Sequence, residues 1–138
     1  MIIKNSPKIS ILSYRDLEAY KSAHKLALFI YKITTNFPAE EKFGLQSQMR
    51  RAAVSIGSNI AEGFARNGAK DKIQFYTISR GSLFELESQC LIARDLSFLS
   101  SENYFSVCEK ITFVSKLLSG LIKSAMAKPD PKILNTVY

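Results

Sequence analysis

The sequence predicts an all-α fold, an antiparallel four-helix bundle in up-down-up-down order. Apolar residues recur every three or four positions along four long segments, which is the periodicity of an amphipathic helix. Only six Gly and four Pro occur among 138 residues, so long stretches contain neither helix breaker. No segment shows a competing strand pattern. Four long helices with short connections pack most simply in up-down-up-down order.

The first helix is expected from Tyr14 or Arg15 to about Asn36. It ends there because a residue that precedes proline, as Phe37 precedes Pro38, disfavours the helical conformation. The helix carries two apolar stripes. One stripe contains Leu17, Tyr20, His24, Ala27, Tyr31 and Thr34, and the other contains Ala23, Leu26, Ile30, Ile33 and Phe37. A helix with one face exposed to solvent needs only one apolar stripe, so the second stripe predicts burial between layers or against another subunit.

The other three helices follow the same periodicity. The second runs from the turn at 38–42 to residues 63–67, a segment whose Gly and Asn are typical of helix C-termini. The third spans about residues 70–97. The fourth begins at Ser100, whose hydroxyl suits an N-cap, and continues to about Met126.

The chain is expected to form one domain, because 138 residues suffice to bury a core without disulfides or metals. The bundle is predicted over residues 14–126. Residues 1–13 form an N-terminal tail in this interpretation, and residues 127–138 form a C-terminal tail. Pro129 and Pro131 prevent the last helix from continuing.

Several features indicate a cytoplasmic protein that makes no contact with a membrane. The longest apolar run, 26–31, is far shorter than the ~20 residues that span a bilayer. Lys4 interrupts the apolar start of the chain before a signal-peptide core forms. Cys90 and Cys108 lack the spacing of metal ligands and lie on apolar stripes, so free, reduced thiols are expected.

The charge of the chain favours a polyanionic partner. Nineteen Lys and Arg exceed twelve Asp and Glu, which gives a net charge of +7. Clustered cations release counterions when they meet phosphates, whereas a dispersed excess only maintains solubility. Arg66, Lys70 and Lys72 lie near the turn between the second and third helices. We expect these three residues and Arg50 to contact nucleic acid; an ordinary solvated face is the alternative.

The same turn predicts which residues of the second and third helices meet. If the chain folds back near residues 67–68, Arg51 lies close to the segment 83–87. Arg50 or Arg51 is then expected to form an interhelical ion pair with Glu85 or Glu87. One helix does not direct both arginines at one partner, because neighbouring residues are ~100° apart around its axis.

Four further polar or small residues are expected to be structural. Glu62 faces Lys72 across the gap between the helices, or Arg66 four residues along its own helix. Asn59 continues an apolar stripe, where a buried amide usually fixes register or oligomeric state. Gly63 and Gly81 let helix backbones approach closely, since a mid-helix glycine costs about 1 kcal/mol relative to alanine.

No arrangement in the sequence points to catalysis, a cofactor or a metal. His24 is the one histidine, so a zinc site of the usual kind is not expected. No serine lies in a nucleophile-elbow pattern, and no glycine-rich loop has the Gly-Lys-Ser/Thr ending. The sequence also shows no motif of alternating aromatic and basic residues of the kind that single-strand binders use. The chain is therefore expected not to be an enzyme.

Four ordered blocks carry a resemblance to a known family. They are YRDLEAYKSAH in the first helix, FPAEEKFGLQSQMRRAAVSIGSNIAEGF through the second, FYTISRGSLFELESQ in the third and LIARDLSFLSSENY at the last turn. Over about residues 14–126 the chain resembles the 23S rRNA-intervening-sequence protein family, four-helix bundles first noticed as products of intervening sequences in large-subunit ribosomal RNA genes. It is similar, more distantly, to accessory proteins that assist the reverse transcriptases of diversity-generating retroelements.

The resemblance implies a ring, commonly a homopentamer, whose basic surface engages nucleic acid. In the retroelement relatives the ring also binds the reverse transcriptase. The family has no agreed catalytic site, so matching positions carry over as structural or interface residues. These positions are Arg50, Arg51, Asn59, Glu62, Gly63, Gly81, Ser82, Glu85 and Glu87. The surplus apolar stripe of the first helix independently favours a symmetric assembly.

Three functional hypotheses follow. The first is a non-enzymatic, homo-oligomeric bundle that binds RNA or DNA through backbone phosphates. The second is an accessory scaffold that holds a reverse transcriptase or another protein partner. The third, a metal or small-ligand bundle, lacks the inward Glu-x-x-His pairs that such bundles use.

Overall fold

The structure, a computed structural model, describes residues 11–127 of the chain. Within that range it contains four α-helices and no strand, which confirms the all-α prediction. The helices are α1 (Glu18–Thr34), α2 (Leu45–Phe64), α3 (Ala69–Asp95) and α4 (Ser101–Ala127). Most of the two predicted tails lies outside the described residues, so their boundaries remain predictions.

The first helix begins later than the sequence predicted. Residues Tyr14–Asp16 form a single 3-10 turn, and the extended backbone of Leu17 separates this turn from α1. The Ser13 hydroxyl accepts a hydrogen bond from the Arg15 amide (3.2 Å), and the Asp16 carboxylate accepts one from the Ser13 amide (3.1 Å). These local bonds satisfy amides that an α-helix would leave without partners at its start. They hold the turn as a separate element.

The connection between α3 and α4 contains two helix-ending features. Ser97 adopts the left-handed conformation (φ 63°), and the Phe98 amide donates to the Ala93 carbonyl at 2.8 Å. This geometry closes α3 at Asp95, slightly before the predicted end. Ser100 caps α4 as predicted, because its hydroxyl accepts a hydrogen bond from the Asn103 amide at 3.1 Å.

The core lies between the four helices: α1 packs on α2, α2 on α3 and α3 on α4, and α4 also packs on α1. The two stripes of α1 have different surroundings. One stripe is buried in this core and contains Ala23, Leu26, Ile30, Ile33 and Phe37. Within the other stripe, Leu17 and Thr34 are buried, whereas His24 and Tyr31 are exposed.

Small and polar residues line the contact between α2 and α3. Gly63 is required there, because a Cβ atom at this position would lie 2.6 Å from Cε1 of Tyr76. The buried Ser79 hydroxyl donates to the Ile56 carbonyl at 2.8 Å. Further along, the hydroxyls of Ser55 and Ser82 are 2.9 Å apart. Rising numbers on α2 meet falling numbers on α3, so these two helices are antiparallel, in the register expected from the turn.

Candidate nucleic-acid interface

Three of the four predicted phosphate contacts lie at the turn between α2 and α3. Lys72 Nζ donates to the Phe64 carbonyl at 2.7 Å and to the Gly63 carbonyl at 3.4 Å. It therefore stabilises the C-terminal end of α2, where carbonyl groups lack partners within the helix. Lys70 is exposed in the first turn of α3. Lys70 is thus exposed at this turn, whereas Lys72 is half-buried.

Arg66, which follows the end of α2, makes one contact with α2 and one with α3. Its Nη2 atom lies 3.2 Å from Oε2 of Glu62. The sequence offered Arg66 and Lys72 as alternative partners of Glu62, and Arg66 forms this pair. Its guanidinium carbon lies 4.6 Å from the ring centroid of Phe75. An exposed ion pair of this kind contributes only ~0–1 kcal/mol. A phosphate therefore competes readily with Glu62 for the guanidinium.

Arg50 does not join this group. It lies on α2 about 21 Å along the helix axis from the end at Phe64, given a rise of 1.5 Å per residue. Its Nε donates to Oγ1 of Thr34 at 2.9 Å and its Nη2 to the carbonyl of Tyr31 at 3.3 Å. The predicted set of four is thus divided between the two ends of α2.

Arg50 belongs to a second basic region, a cleft of about 920 Å³ beside the C-terminal end of α1 and the N-terminal end of α2. Its guanidinium carbon lies 4.6 Å from the ring centroid of Tyr31, and Lys42 Nζ lies 5.6 Å from the ring centroid of Phe43. Phe43 is 89% exposed. Sequence reasoning missed this cleft, although the adjacent Lys42 and Phe43 were visible between the first two helices.

The cleft is one case of a wider pattern. Seven cations of the described chain lie over aromatic rings, although the sequence showed no such motif. The pairs are Arg15–Tyr14, Lys42–Phe43, Arg50–Tyr31, Arg66–Phe75, Lys72–Phe64, Arg94–Tyr104 and Lys110–Phe29. Several of the pairs join different helices, so folding rather than sequence adjacency creates them.

The expected ion pair between α2 and α3 is present for one arginine. Arg51 Nη2 lies 2.7 Å from Oε1 of Glu85, and the same oxygen accepts a hydrogen bond from Gln89 at 3.2 Å. Glu87, the alternative partner that the sequence offered, does not take part in this pair. It is exposed and forms no ion pair within residues 11–127, because it lies two positions further around the helix.

Asn59 and Gly81 also differ from expectation. Asn59 is half-buried, and its amide donates to the Ser55 carbonyl (2.9 Å) and hydroxyl (3.0 Å) one turn earlier on α2, so it does not lie in the apolar core. A Cβ atom on Gly81 would have no neighbour within 4 Å. Within one chain, therefore, Gly63 permits close helix packing and Gly81 does not.

A second concavity, of about 340 Å³, runs along α1 and α2 and is mainly apolar. Tyr20 and His24 of the partly exposed stripe of α1 line one wall together with Leu28, and Val54 and Gly57 line the other. The rings of Tyr20 and His24 stack with centroids 6.1 Å apart. His24 thus borders an apolar groove.

The described residues offer little chemistry beyond binding. Within residues 11–127 no three His, Cys, Asp or Glu side chains gather into a possible metal site. Burial, and then the nearby Cys108 and Glu87, raise the pKa of the Cys90 thiol to about 12. Cys90 is therefore protonated at neutral pH and is a poor nucleophile. None of the helices in this range has the length and apolar character needed to cross a bilayer.

Comparisons with known proteins concern the family and the fold of the chain. The family model described as 23S rRNA-intervening sequence protein matches residues 15–120. The fold is similar to a solved structure from Bacteroides thetaiotaomicron, a protein of unknown function from the S23 ribosomal protein family. The chains are 26% identical with a TM-score of 0.68, over 76% of this chain and 98% of that one. No match was found among curated proteins. Neither match indicates an enzyme family.

Proposed function

The chain belongs to the 23S rRNA-intervening sequence protein family, and we propose that it is a non-enzymatic, ring-forming bundle that binds RNA through backbone phosphates. The observation that carries this proposal is the group of cations at the turn between α2 and α3. Arg66 and Lys70 are exposed there, and Lys72 lies beside them in a chain of net charge +7. Phosphate contacts of this kind give affinity with little base preference.

The proposed ring uses two different surfaces of each up-down-up-down protomer. One is the apolar groove of α1 and α2, and the other is the outer face of α3, where Ile78, Phe84 and Ile92 are exposed around Gly81. A mid-helix glycine without a neighbour in its own chain is explained if another copy packs on it. Contacts between unlike surfaces are heterologous, and they close into a ring when the rotation permits.

Ring formation strengthens weak phosphate binding. One protomer presents few cations at the turn, and each exposed contact is weak alone. A homopentamer, the assembly that the family resemblance suggested, repeats the group five times on one particle. Simultaneous contacts then raise the overall affinity without any new interaction.

The assembly is tested by light scattering of the purified full chain. We expect a mass of five times the 15.5 kDa protomer. Leu28→Glu in the groove and Ile78→Glu on α3 should each reduce that mass, because each places a charge in the proposed contact. Phe105→Glu, an exposed position on α4, is the control and should leave the mass unchanged. A wild-type protein that stays a protomer at micromolar concentration contradicts the ring.

Nucleic-acid binding is tested by titrating a structured RNA at ~50 to ~200 mM salt. Affinity should fall steeply with salt, and the double variant Arg66→Gln/Lys70→Gln should flatten the logarithmic salt slope by about 1 per removed contact. Lys116→Gln on the exposed face of α4 is the matched control. No association at the lowest salt contradicts the proposal.

A second candidate is an accessory scaffold that holds a reverse transcriptase or another protein. Exposed aromatic rings on α4 favour it, because Phe105 and Phe113 border a concavity of about 370 Å³ outside the two surfaces assigned to the ring. Co-sedimentation with a purified reverse transcriptase of such a retroelement separates the candidates. Loss of that binding in Phe105→Ala, with RNA binding retained, would support the scaffold.

A further inference from the structure

We propose that the cleft beside the ends of α1 and α2 binds a single-stranded segment of nucleic acid by stacking an unpaired base on Phe43. This inference rests on the proposed nucleic-acid binding and adds a second kind of contact to it. The turn between α2 and α3 holds phosphates of any strand. The cleft selects strands whose bases are free.

Phe43 is presented to solvent by a well-fixed segment. The Glu41 carboxylate accepts a hydrogen bond from the Leu45 amide at 2.8 Å, which caps the start of α2. A Cβ atom on Gly44 would lie 2.6 Å from that carboxylate, so glycine is what leaves room for the cap. The neighbouring Phe43 ring is thereby held outside the core, 89% exposed. A backbone held in place in this way reduces the freedom that is lost when a base stacks on the ring.

The cations of the cleft are positioned for the rest of a nucleotide. Lys42 Nζ lies near the Phe43 ring, and Arg51 lines the same wall. The two hydrogen bonds of Arg50 to α1 fix its guanidinium over Tyr31, which makes a second flat surface. Among the described residues that line the cleft, three are cations and none is a carboxylate. Arg51 is paired with Glu85, which lies outside the lining, so Lys42 and Arg50 supply the charge that complements a phosphate backbone.

The combination of features favours a single strand over a duplex. Bases of a duplex are stacked on one another, so their flat faces are not available to a side chain. An unpaired base offers its flat face to an aromatic ring or a guanidinium, and this stacking tolerates every base. The volume of about 920 Å³ falls in the range of roughly 300–1,000 Å³ of small-molecule sites, which accommodates a nucleotide.

A second copy of the chain is a weaker occupant for this cleft. Three of its lining residues are cations, and the chain itself carries a net positive charge. Like charges oppose such a contact unless acidic groups meet them. The neighbouring groove along α1 and α2 has no such cations in its lining and is the better surface for a copy.

The test uses the full chain and two labelled probes, a 12-nucleotide single strand that contains one 2-aminopurine and a blunt duplex of the same length. Fluorescence anisotropy gives the two affinities, and the emission of 2-aminopurine reports stacking directly. We expect Phe43→Ala to weaken single-strand binding about tenfold, to remove the emission change and to leave duplex binding unaltered. Phe43→Tyr should retain both properties. Phe113→Ala, another exposed phenylalanine, is the matched control.

The outcomes separate this inference from the proposed function. If Phe43→Ala binds both probes as tightly as the wild type does, the stacking site is overturned and the proposed phosphate binding is not affected. Equal losses for single strand and duplex would also overturn it. A changed particle mass in Phe43→Ala, with unchanged single-strand affinity, would assign the cleft to another copy of the chain. Failure of the wild type to bind either probe would contradict the proposed function itself.

Discussion

The contact between α2 and α3 differs in chemistry from the contacts of α4 with α1 and α3. Between α2 and α3, a glycine permits close approach, and the Ser79 hydroxyl and the Arg51–Glu85 pair bridge the two helices. The hydrogen bonds made by the side chains of α4 within the described range stay inside α4 or at its cap. Its buried residues are apolar: Val107, Ile111, Val114, Leu118, Ile122 and Ala125.

The difference shows two ways of fixing one helix against another. Polar groups such as those of Ser79 and Ile56 impose a single register, because a shifted helix would leave a buried polar group without a partner. Apolar surfaces contribute mainly through the area and volume that they bury. We therefore expect the polar groups between α2 and α3 to control register, whereas the contacts of α4 stabilise the fold through buried apolar area.

The largest expected effect concerns the apolar side of this comparison. Leu26 is fully buried on α1 and borders the groove between α1 and α4. Leu26→Ala should lower the free energy of unfolding by about 2–5 kcal/mol, because it removes buried area and leaves a cavity. Urea unfolding of the full chain measures this. Lys32→Ala, exposed on the same helix and outside the apolar groove, is the control, and equal losses in the two variants would contradict the assignment of the core stripe.

The next effect tests close packing between α2 and α3. Gly63→Ala should destabilise the fold by about 1–3 kcal/mol, because the added methyl group collides with the ring of Tyr76. Gly120→Ala on α4 is the matched control, since a Cβ atom there meets no neighbour within 4 Å. It should stabilise the helix by up to about 1 kcal/mol. Melting temperatures that shift in the same direction for both variants would contradict the comparison.

A smaller effect is expected from the polar bridge itself. Ser79→Ala removes the hydrogen bond to the Ile56 carbonyl and should cost about 0.5–1.5 kcal/mol in urea unfolding. Ser88→Ala, an exposed position on the same helix, should change stability by less than about 0.5 kcal/mol. If Ser79→Ala proves as stable as the wild type, the hydroxyl bridge does not secure the register.

The smallest effect at neutral pH concerns Cys90, a buried thiol near Cys108 of α4. Its pKa is raised from 9.0 to about 12 in the folded protein, so the folded state retains a proton that the unfolded state releases above about pH 9. The free energy of unfolding should therefore fall as the pH rises from about 9 to about 12. Below pH 9 the thiol is protonated in both states, so this loss of stability does not occur. Urea unfolding should show that the free energy of unfolding decreases more between pH 8 and pH 10 for the wild type than for Cys90→Ala. Identical losses would mean that the thiol is not buried away from solvent.

Much of the fold was predictable because helix periodicity is written along the chain. The number of helices and the cap at Ser100 follow from local pattern and turn chemistry. The position of the α2–α3 turn also predicted that Arg50 or Arg51 pairs with Glu85 or Glu87, and Arg51 pairs with Glu85. The later start of α1 was not predicted, because it depends on side-chain bonds of Ser13 and Asp16 that compete with the helix.

The candidate site was less predictable. Arg50 was expected, like Arg66, to contact nucleic acid, yet the two lie toward opposite ends of α2. Asn59 bonds to its own helix, and Gly81 has no neighbour in the chain. Phe43 gave no signal, because one aromatic residue in a turn is ordinary until its exposure and the surrounding cations are known.

The sequence by itself determined the four helices, the basic character of the chain and the antiparallel pairing of α2 with α3. These depend on residue spacing, composition and one turn, all of which are properties of neighbouring residues. Only the tertiary structure decided which stripe of α1 enters the core and which cations meet aromatic rings. Periodicity defines the faces of a helix, but the neighbour that covers a face depends on how distant parts of the chain pack together.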